Sequence, residues 1–205
     1  NFAGQYGWFY AIGMISLAEV FALEFTTPIW TALLAFLFLK ERLTIPRLAA
    51  IALGFGGILL ITRPGFEAIN PAALAVLGAA IAYAASYTMV KSLTDTESPL
   101  TILVYMTVVQ LPLSLAFSVD GWIWPSSTLW PWMVAVALSG LFAHYCMARA
   151  FQQGDAMLVV PLDFLRLPLI VAVGFFYYGE ALNPWVLGGA ALVFAANFLN
   201  IRYAR

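Results

Sequence analysis

The stretch ALEFTTPIWTALLAFLFLKERL, Ala22 to Leu43, returns in altered form as PLDFLRLPLIVAVGFFYYGEAL, Pro161 to Leu182. Placing Glu180 on Glu41 fixes an offset of 180 − 41 = 139, and the same offset pairs Glu24 with Asp163, Phe25 with Phe164, Leu43 with Leu182 and Tyr6 with Tyr145. Both copies are apolar over the roughly 20 residues that an α-helix needs to cross a bilayer. Each holds an acid at the same place inside the apolar run. An ionised carboxylate at that depth costs about 2.5 kcal/mol or more. Each acid must therefore find a partner, face a water-filled cavity or take up a proton.

Composition agrees with a bilayer as solvent. Of 205 residues, 63% are hydrophobic and 9% charged, where a soluble domain carries charge on about a quarter. The expected fold class is an all-α integral membrane protein. Apolar runs between Pro, Gly and polar breaks predict eight spans, near 1 to 15, 18 to 39, 46 to 62, 71 to 90, 99 to 118, 131 to 151, 156 to 178 and 185 to 201. Thr44 ahead of Pro46, and Asn183 ahead of Pro184, give the same helix-start signal at matching places in the two copies.

The second copy begins near Asn70, so the offset puts the start of the first about 70 residues ahead of Asn1, room for two more spans. The expectation is a ten-helix (5+5) bundle of which eight spans are visible. Residues 1–65 hold the last three helices of the first repeat, and residues 70–205 all five of the second. Five spans per copy, an odd number, make the copies enter the membrane from opposite sides, an inverted repeat of transmembrane helices.

Charge bias orients this arrangement. With the carboxyl terminus cytoplasmic, the inside ends carry Lys40, Arg42, Arg47, Lys91, Arg149, Arg202 and Arg205, and the outside loops only Arg63. Trp122, Trp124, Trp130, Trp132 and Trp185 then fall at the outer interface. A net charge of −1 offers no footprint for nucleic acid. The single cysteine, Cys146, and the single histidine, His144, rule out an internal disulfide and a Cys/His or multi-histidine metal cluster. No nucleophile stands with a base, and no Gly-rich phosphate loop follows a strand. The chain is not expected to be an enzyme or to hold a cofactor or metal.

The candidate site residues are the intramembrane acids and the polar groups that share their depth. Asp163 has Arg166 three residues on, on the same helical face, and the two read as a structural or substrate-orienting ion pair. The residue matching Arg166 in the first copy is Thr27, so Glu24 has no local cation and reads as the proton or cation site. Glu19 is either the outer step of a proton path or a solvated interfacial acid. Pro28 follows Glu24 by four residues, and Pro161 and Pro168 bracket Asp163, so both central helices should bend or break beside their acids. Tyr6 and Trp8 in the first span, and His144 and Tyr145 in the sixth, place polar groups in apolar runs. The tyrosines would stack on or hydrogen-bond a solute, or else pack; His144 fits a satisfied interior imidazole better than a proton relay. Glu41 and Glu180 fall at opposite membrane faces and read as structural or gate residues.

An acid-bearing helix, a proline, an apolar run and then KERL in one copy and GEAL in the other resembles the EamA family of the drug/metabolite transporter superfamily. The resemblance runs from about Gln5 to Arg205. It implies an inner-membrane carrier that moves small metabolites by alternating access through a cavity between its central helices, and the short loops and the inside bias of basic residues fit a bacterial cytoplasmic (inner) membrane. The expected partners are a small-molecule substrate, the lipid bilayer and a coupling proton. An amino acid, an amine or a similar zwitterion or cation suits a cavity of acids, one arginine and aromatics. Two rival readings are an integral-membrane enzyme acting on lipid and a non-transporting membrane partner protein.

Overall fold

The computed structural model describes residues 1–41, 44–62, 70–119, 122–162, 167–179 and 184–202. They form ten α-helices: α1 (Phe2–Ile12), α2 (Leu17–Glu24), α3 (Thr27–Phe38), α4 (Ile45–Thr62), α5 (Pro71–Leu93), α6 (Pro99–Ser118), α7 (Trp130–Gln153), α8 (Ala156–Leu162), α9 (Leu167–Tyr178) and α10 (Pro184–Arg202). Their starts follow from local chemistry. Ser16 accepts the Glu19 amide and caps α2, Ser98 accepts the Thr101 amide and caps α6, and Asn70 Oδ1 accepts the Ala72 amide at the start of α5. Prolines occupy the first turns of α5, α6, α7 and α10, where a missing N–H costs nothing.

The stretches Glu19–Phe38, Pro71–Leu93, Pro99–Ser118 and Trp130–Gln153 are long and apolar enough to cross a membrane; Leu48–Gly57 and Pro184–Ala196 are shorter apolar helices. Helix α1, at 11 residues, rises only about 16 Å and is too short to cross alone.

The chain divides into two compact units. The first comprises Asn1, Ala3–Met89 and Asp155–Arg205; the second comprises Phe2 and Val90–Gly154. The first unit carries the repeat into three dimensions. Helices α2 and α8 begin 156 − 17 = 139 residues apart, and α4 and α10 begin 184 − 45 = 139 apart. Among the described residues the left-handed backbone conformation occurs at Lys40 (φ 57°) and Gly179 (φ 65°), and 179 − 40 is again 139.

Packing partners exchange under the same offset. Helix α3 packs on α8 as α2 does on α9, and α8 packs on α10 as α2 does on α4. The most extensive contact, α4 on α10, maps onto itself: a Cβ at Gly57 would lie 2.6 Å from Val193 Cγ2, while one at Gly54 would meet Ile29 and approach Ala196. Val193 is the repeat equivalent of Gly54, and Ala196 that of Gly57. Such a self-complementary contact is the mark of a local two-fold.

Around this seam lies a core of Val20, Ala22, Leu23, Phe25, Ile29, Ala72, Val76, Val186, Ala190 and Val193. A second cluster, Ala32, Ala35 and Met157 with Leu39 against it, joins α3 to α8. In the second unit α6 packs on α7, and Lys91 Nζ donates to the Phe151 carbonyl at 2.8 Å, tying the end of α5 to the last turn of α7. Most of the apolar surface of α6 and α7 is exposed, including Leu111, Phe117, Trp132 and Phe142.

Candidate functional site: a buried carboxylate at a broken helix

The apolar stretch Glu19–Phe38 is interrupted at Phe25 and Thr26, between α2 and α3. The cause is Pro28. It has no N–H, so the ladder bond that the Glu24 carbonyl would receive from residue 28 cannot form. Thr27 Oγ1 donates to that carbonyl instead, at 2.6 Å. The turn tightens, with the Thr26 amide on Leu23 O and the Ile29 amide on Thr26 O. Thr31 Oγ1 donates to Thr27 O at 2.9 Å, and Trp30 Nε1 to Thr26 Oγ1 at 3.2 Å. Thr26, Thr27 and Thr31 are all buried, so the break is lined by hydroxyls in an otherwise apolar interior.

Glu24 is the last residue of α2 and is 8% exposed. Its Oε2 accepts the indole N–H of Trp8 at 2.8 Å. Helix α1 comes close enough for this because Gly4 and Gly7, with buried Ala11, form one face against α5: a Cβ at Gly4 would lie 2.9 Å from the Tyr83 ring, and one at Gly7 2.9 Å from Ala75 O. The Trp8 ring stands edge-on to Phe9 and Phe21, at centroid distances of 5.3 and 5.5 Å. The indole is thus a neutral donor to this carboxylate, set among aromatic rings. That arrangement can exchange the indole for another N–H or cationic donor without leaving the carboxylate bare.

The structure thus brings two of the sequence candidates together, Glu24 and Trp8. Tyr6, two residues before Trp8 and so about 200° around α1, is exposed. Glu19 lies in the first turn of α2 with its amide on Ser16 Oγ, the Ser-x-x-Glu pattern of a helix start, which favours its reading as an interfacial acid. His144 and Tyr145 lie on α7 in the second unit, half-buried and exposed respectively. Asp163 and Arg166 lie outside the described residues, as does Glu180. Residue-type reasoning missed Thr26, Thr27 and Thr31; the signal was present in two threonines placed between the acid and Pro28. It also missed the partner of Glu41, whose Oε1 accepts the amide of Ala156, 115 residues away, at 3.3 Å.

Comparison with known proteins sets this geometry in context. The chain is 34% identical over 201 residues to a riboflavin transporter of Rhizobium johnstonii, covering 97% of this chain and 66% of that one. A riboflavin transporter of Brucella anthropi is 32% identical, with 98% and 72% covered. An S-adenosylmethionine uptake transporter of Rickettsia conorii is 28% identical, with 94% and 65% covered. The chain therefore spans about two thirds of the length of these relatives. One crystal structure superposes with a TM-score of 0.68 at 16% identity, over 97% of this chain and 71% of that one, a likeness of fold alone. The profile of the EamA-like transporter family matches residues 1–63 and 70–202, nearly the whole sequence. This integral membrane protein belongs to the EamA-like transporter family, a family of carriers rather than enzymes.

Proposed function

We propose that the protein is a secondary carrier that takes up a small metabolite by alternating access of two inverted repeats, residues 1–65 and 70–205, with Glu24 as its central binding group. The observation that carries the proposal is the Glu24 carboxylate, buried at a break in an apolar helix and satisfied in part by a replaceable indole N–H. A charge inside an apolar span is costly to keep, and the broken backbone beside it is satisfied separately, by the Thr27 hydroxyl. The exchange of helix contacts under the 139-residue offset supports two halves that rock about the shared seam.

The substrate class follows from the same atoms. Glu24 offers an acceptor, and Trp8 and Phe21 offer ring faces and edges, so the site fits a metabolite with an N–H or ammonium donor on or beside a flat ring. Riboflavin and S-adenosylmethionine, the compounds in the relatives' names, both fit this description. In this reading the substrate's donor displaces the Trp8 N–H. Asp163 and Arg166 orient a zwitterionic group from the second repeat. A proton taken up by Glu24 in the absence of substrate would couple uptake to the proton gradient. The bias of basic residues supports a carboxyl terminus in the cytoplasm of a bacterium, with the exposed faces of α6 and α7 against the lipid of the inner membrane.

The test is uptake of radiolabelled riboflavin and S-adenosylmethionine by membrane vesicles carrying the full-length protein. Wild type accumulates one of them, and Glu24→Gln loses accumulation while remaining folded and membrane-inserted. A partner protein without transport would show no accumulation and a more stable Glu24→Leu variant, because burying a charge would then serve nothing. A lipid enzyme would change the lipid composition of the vesicles.

A further inference from the structure

Helix α3 ends in a turn that aims one side chain. Leu39 closes the ladder onto Ala35 O, Lys40 takes a left-handed conformation, and the Glu41 amide also reaches back to Ala35 O, at 3.2 Å, so the chain turns sharply off the helix end. A lysine in that conformation is strained by roughly 1–2 kcal/mol, so the turn needs an anchor. Glu41 supplies it: its Oε1 accepts the amide of Ala156, the first residue of α8. Asp155 supplies the carbonyl that accepts Leu158 and Val159, so the Glu41 carboxylate meets an amide that the helix's own ladder does not reach. Beneath the bond lies the small cluster of Ala32, Ala35 and Met157, closed off by Leu39.

We propose that Glu41 is a latch between the two repeats, closed in this structure, whose bond to the start of α8 must break each time this end of the central pathway opens. The placement argues for a latch over a simple cap. The bond joins helices of different repeats across 115 residues, at the end of the α3 and α8 contact where rocking of one half against the other produces its largest displacement. The offset carries this pair onto Glu180 and Leu17, so the sequence holds the same two residue positions for the opposite face. The inference rests on the carrier reading for its purpose, and its test needs no substrate.

The experiment measures thiol accessibility in the full-length protein in native membranes. Cys146, which is exposed, is replaced by Ser to remove background. Met157→Cys places a thiol under the latch, where Met157 is 1% exposed; Ala190→Cys, in the core of α10, is the control. Loss of a hydrogen bond to a charged acceptor shifts an opening equilibrium roughly ten- to hundredfold. Adding Glu41→Ala should raise the maleimide labelling rate at position 157 by that factor and leave position 190 unchanged. Glu41→Gln, which keeps an acceptor oxygen, should fall between. Unchanged labelling at 157, or equal increases at both positions, would overturn the latch. Failure of uptake alone leaves these rates as predicted.

Discussion

Replacing Thr27 with Val isolates the contact that makes the broken helix tolerable. The substitution keeps shape and removes one hydroxyl, which donates to the Glu24 carbonyl at 2.6 Å in a residue that is 3% exposed. Pro28 cannot supply the ladder bond to that carbonyl, so the variant loses the donor that replaces it. Depriving a buried polar group of such a partner costs about 1–3 kcal/mol. The same change at Thr31 also removes a buried hydroxyl, here from the Thr27 carbonyl at 2.9 Å. That carbonyl lies in the first turn of α3, where the helical ladder supplies a backbone donor of its own. The two variants therefore match in chemistry and burial and differ in whether the backbone covers the loss. For a chain of this size, about 2–4 °C per kcal/mol translates the Thr27→Val cost into roughly 2–12 °C of Tm, against little change for Thr31→Val. Thr27→Ser, which restores the hydroxyl, should recover most of the loss. The assay is the thermal unfolding of purified full-length protein, followed in parallel by tryptophan emission, since Trp30 reports on the same turn through Thr26. Equal effects at positions 27 and 31, or no rescue by Ser, would refute the account of the break.

Lys40→Gly relieves the left-handed strain that its repeat equivalent Gly179 already avoids; offset by the entropy of glycine, it should stabilise by about 0.5–1 kcal/mol, and a fall in Tm would count against the closure of α3 onto Ala35. Gly57→Ala forces a methyl to within 2.6 Å of Val193 Cγ2 and 2.7 Å of Gly189 O, with an expected cost of about 1–3 kcal/mol, whereas Gly56→Ala meets nothing within 4 Å and should gain up to about 1 kcal/mol. Denaturant midpoints of the two alanine variants that moved together would contradict the α4 and α10 seam. Trp8→Phe keeps an aromatic ring and removes the N–H on Glu24, so substrate affinity should change while the level of inserted protein does not; unchanged affinity would remove Trp8 from the site.

Much of the helix plan was legible because its determinants are local. Apolar runs broken by Pro, Gly and caps marked where helices form, including four stretches long and apolar enough to cross a membrane, and Thr44 with Pro46 marked the start of α4 within a residue. The repeat was legible as well, since a shared spacing needs no geometry to be seen, and it reached as far as the equivalence of Lys40 with Gly179. The break at Phe25 and Thr26 was half legible: Pro28 announced it, while the role of Thr27 depends on where a hydroxyl points. The partners of Glu24 and Glu41 were not legible. Trp8 lies 16 residues from Glu24, and Ala156 lies 115 from Glu41, outside the three- and four-residue spacings by which a sequence reveals neighbours on a helix. Those contacts are set by how helices pack, and packing here is directed by glycines such as Gly4, Gly7 and Gly57 whose effect is to remove side chain rather than add it.

The most direct test of the central claim is counterflow. Full-length protein is reconstituted into vesicles preloaded with unlabelled riboflavin or S-adenosylmethionine, and entry of the labelled compound is followed without any imposed gradient. A carrier that alternates access around Glu24 gives a transient overshoot of label for its substrate, and Glu24→Gln, which keeps an acceptor oxygen and removes the charge, lowers the overshoot rate roughly five- to tenfold, the difference between a bond to a charged and to a neutral acceptor. Folded wild-type protein that shows no overshoot with either compound, or a Glu24→Gln variant that matches wild type, would contradict it.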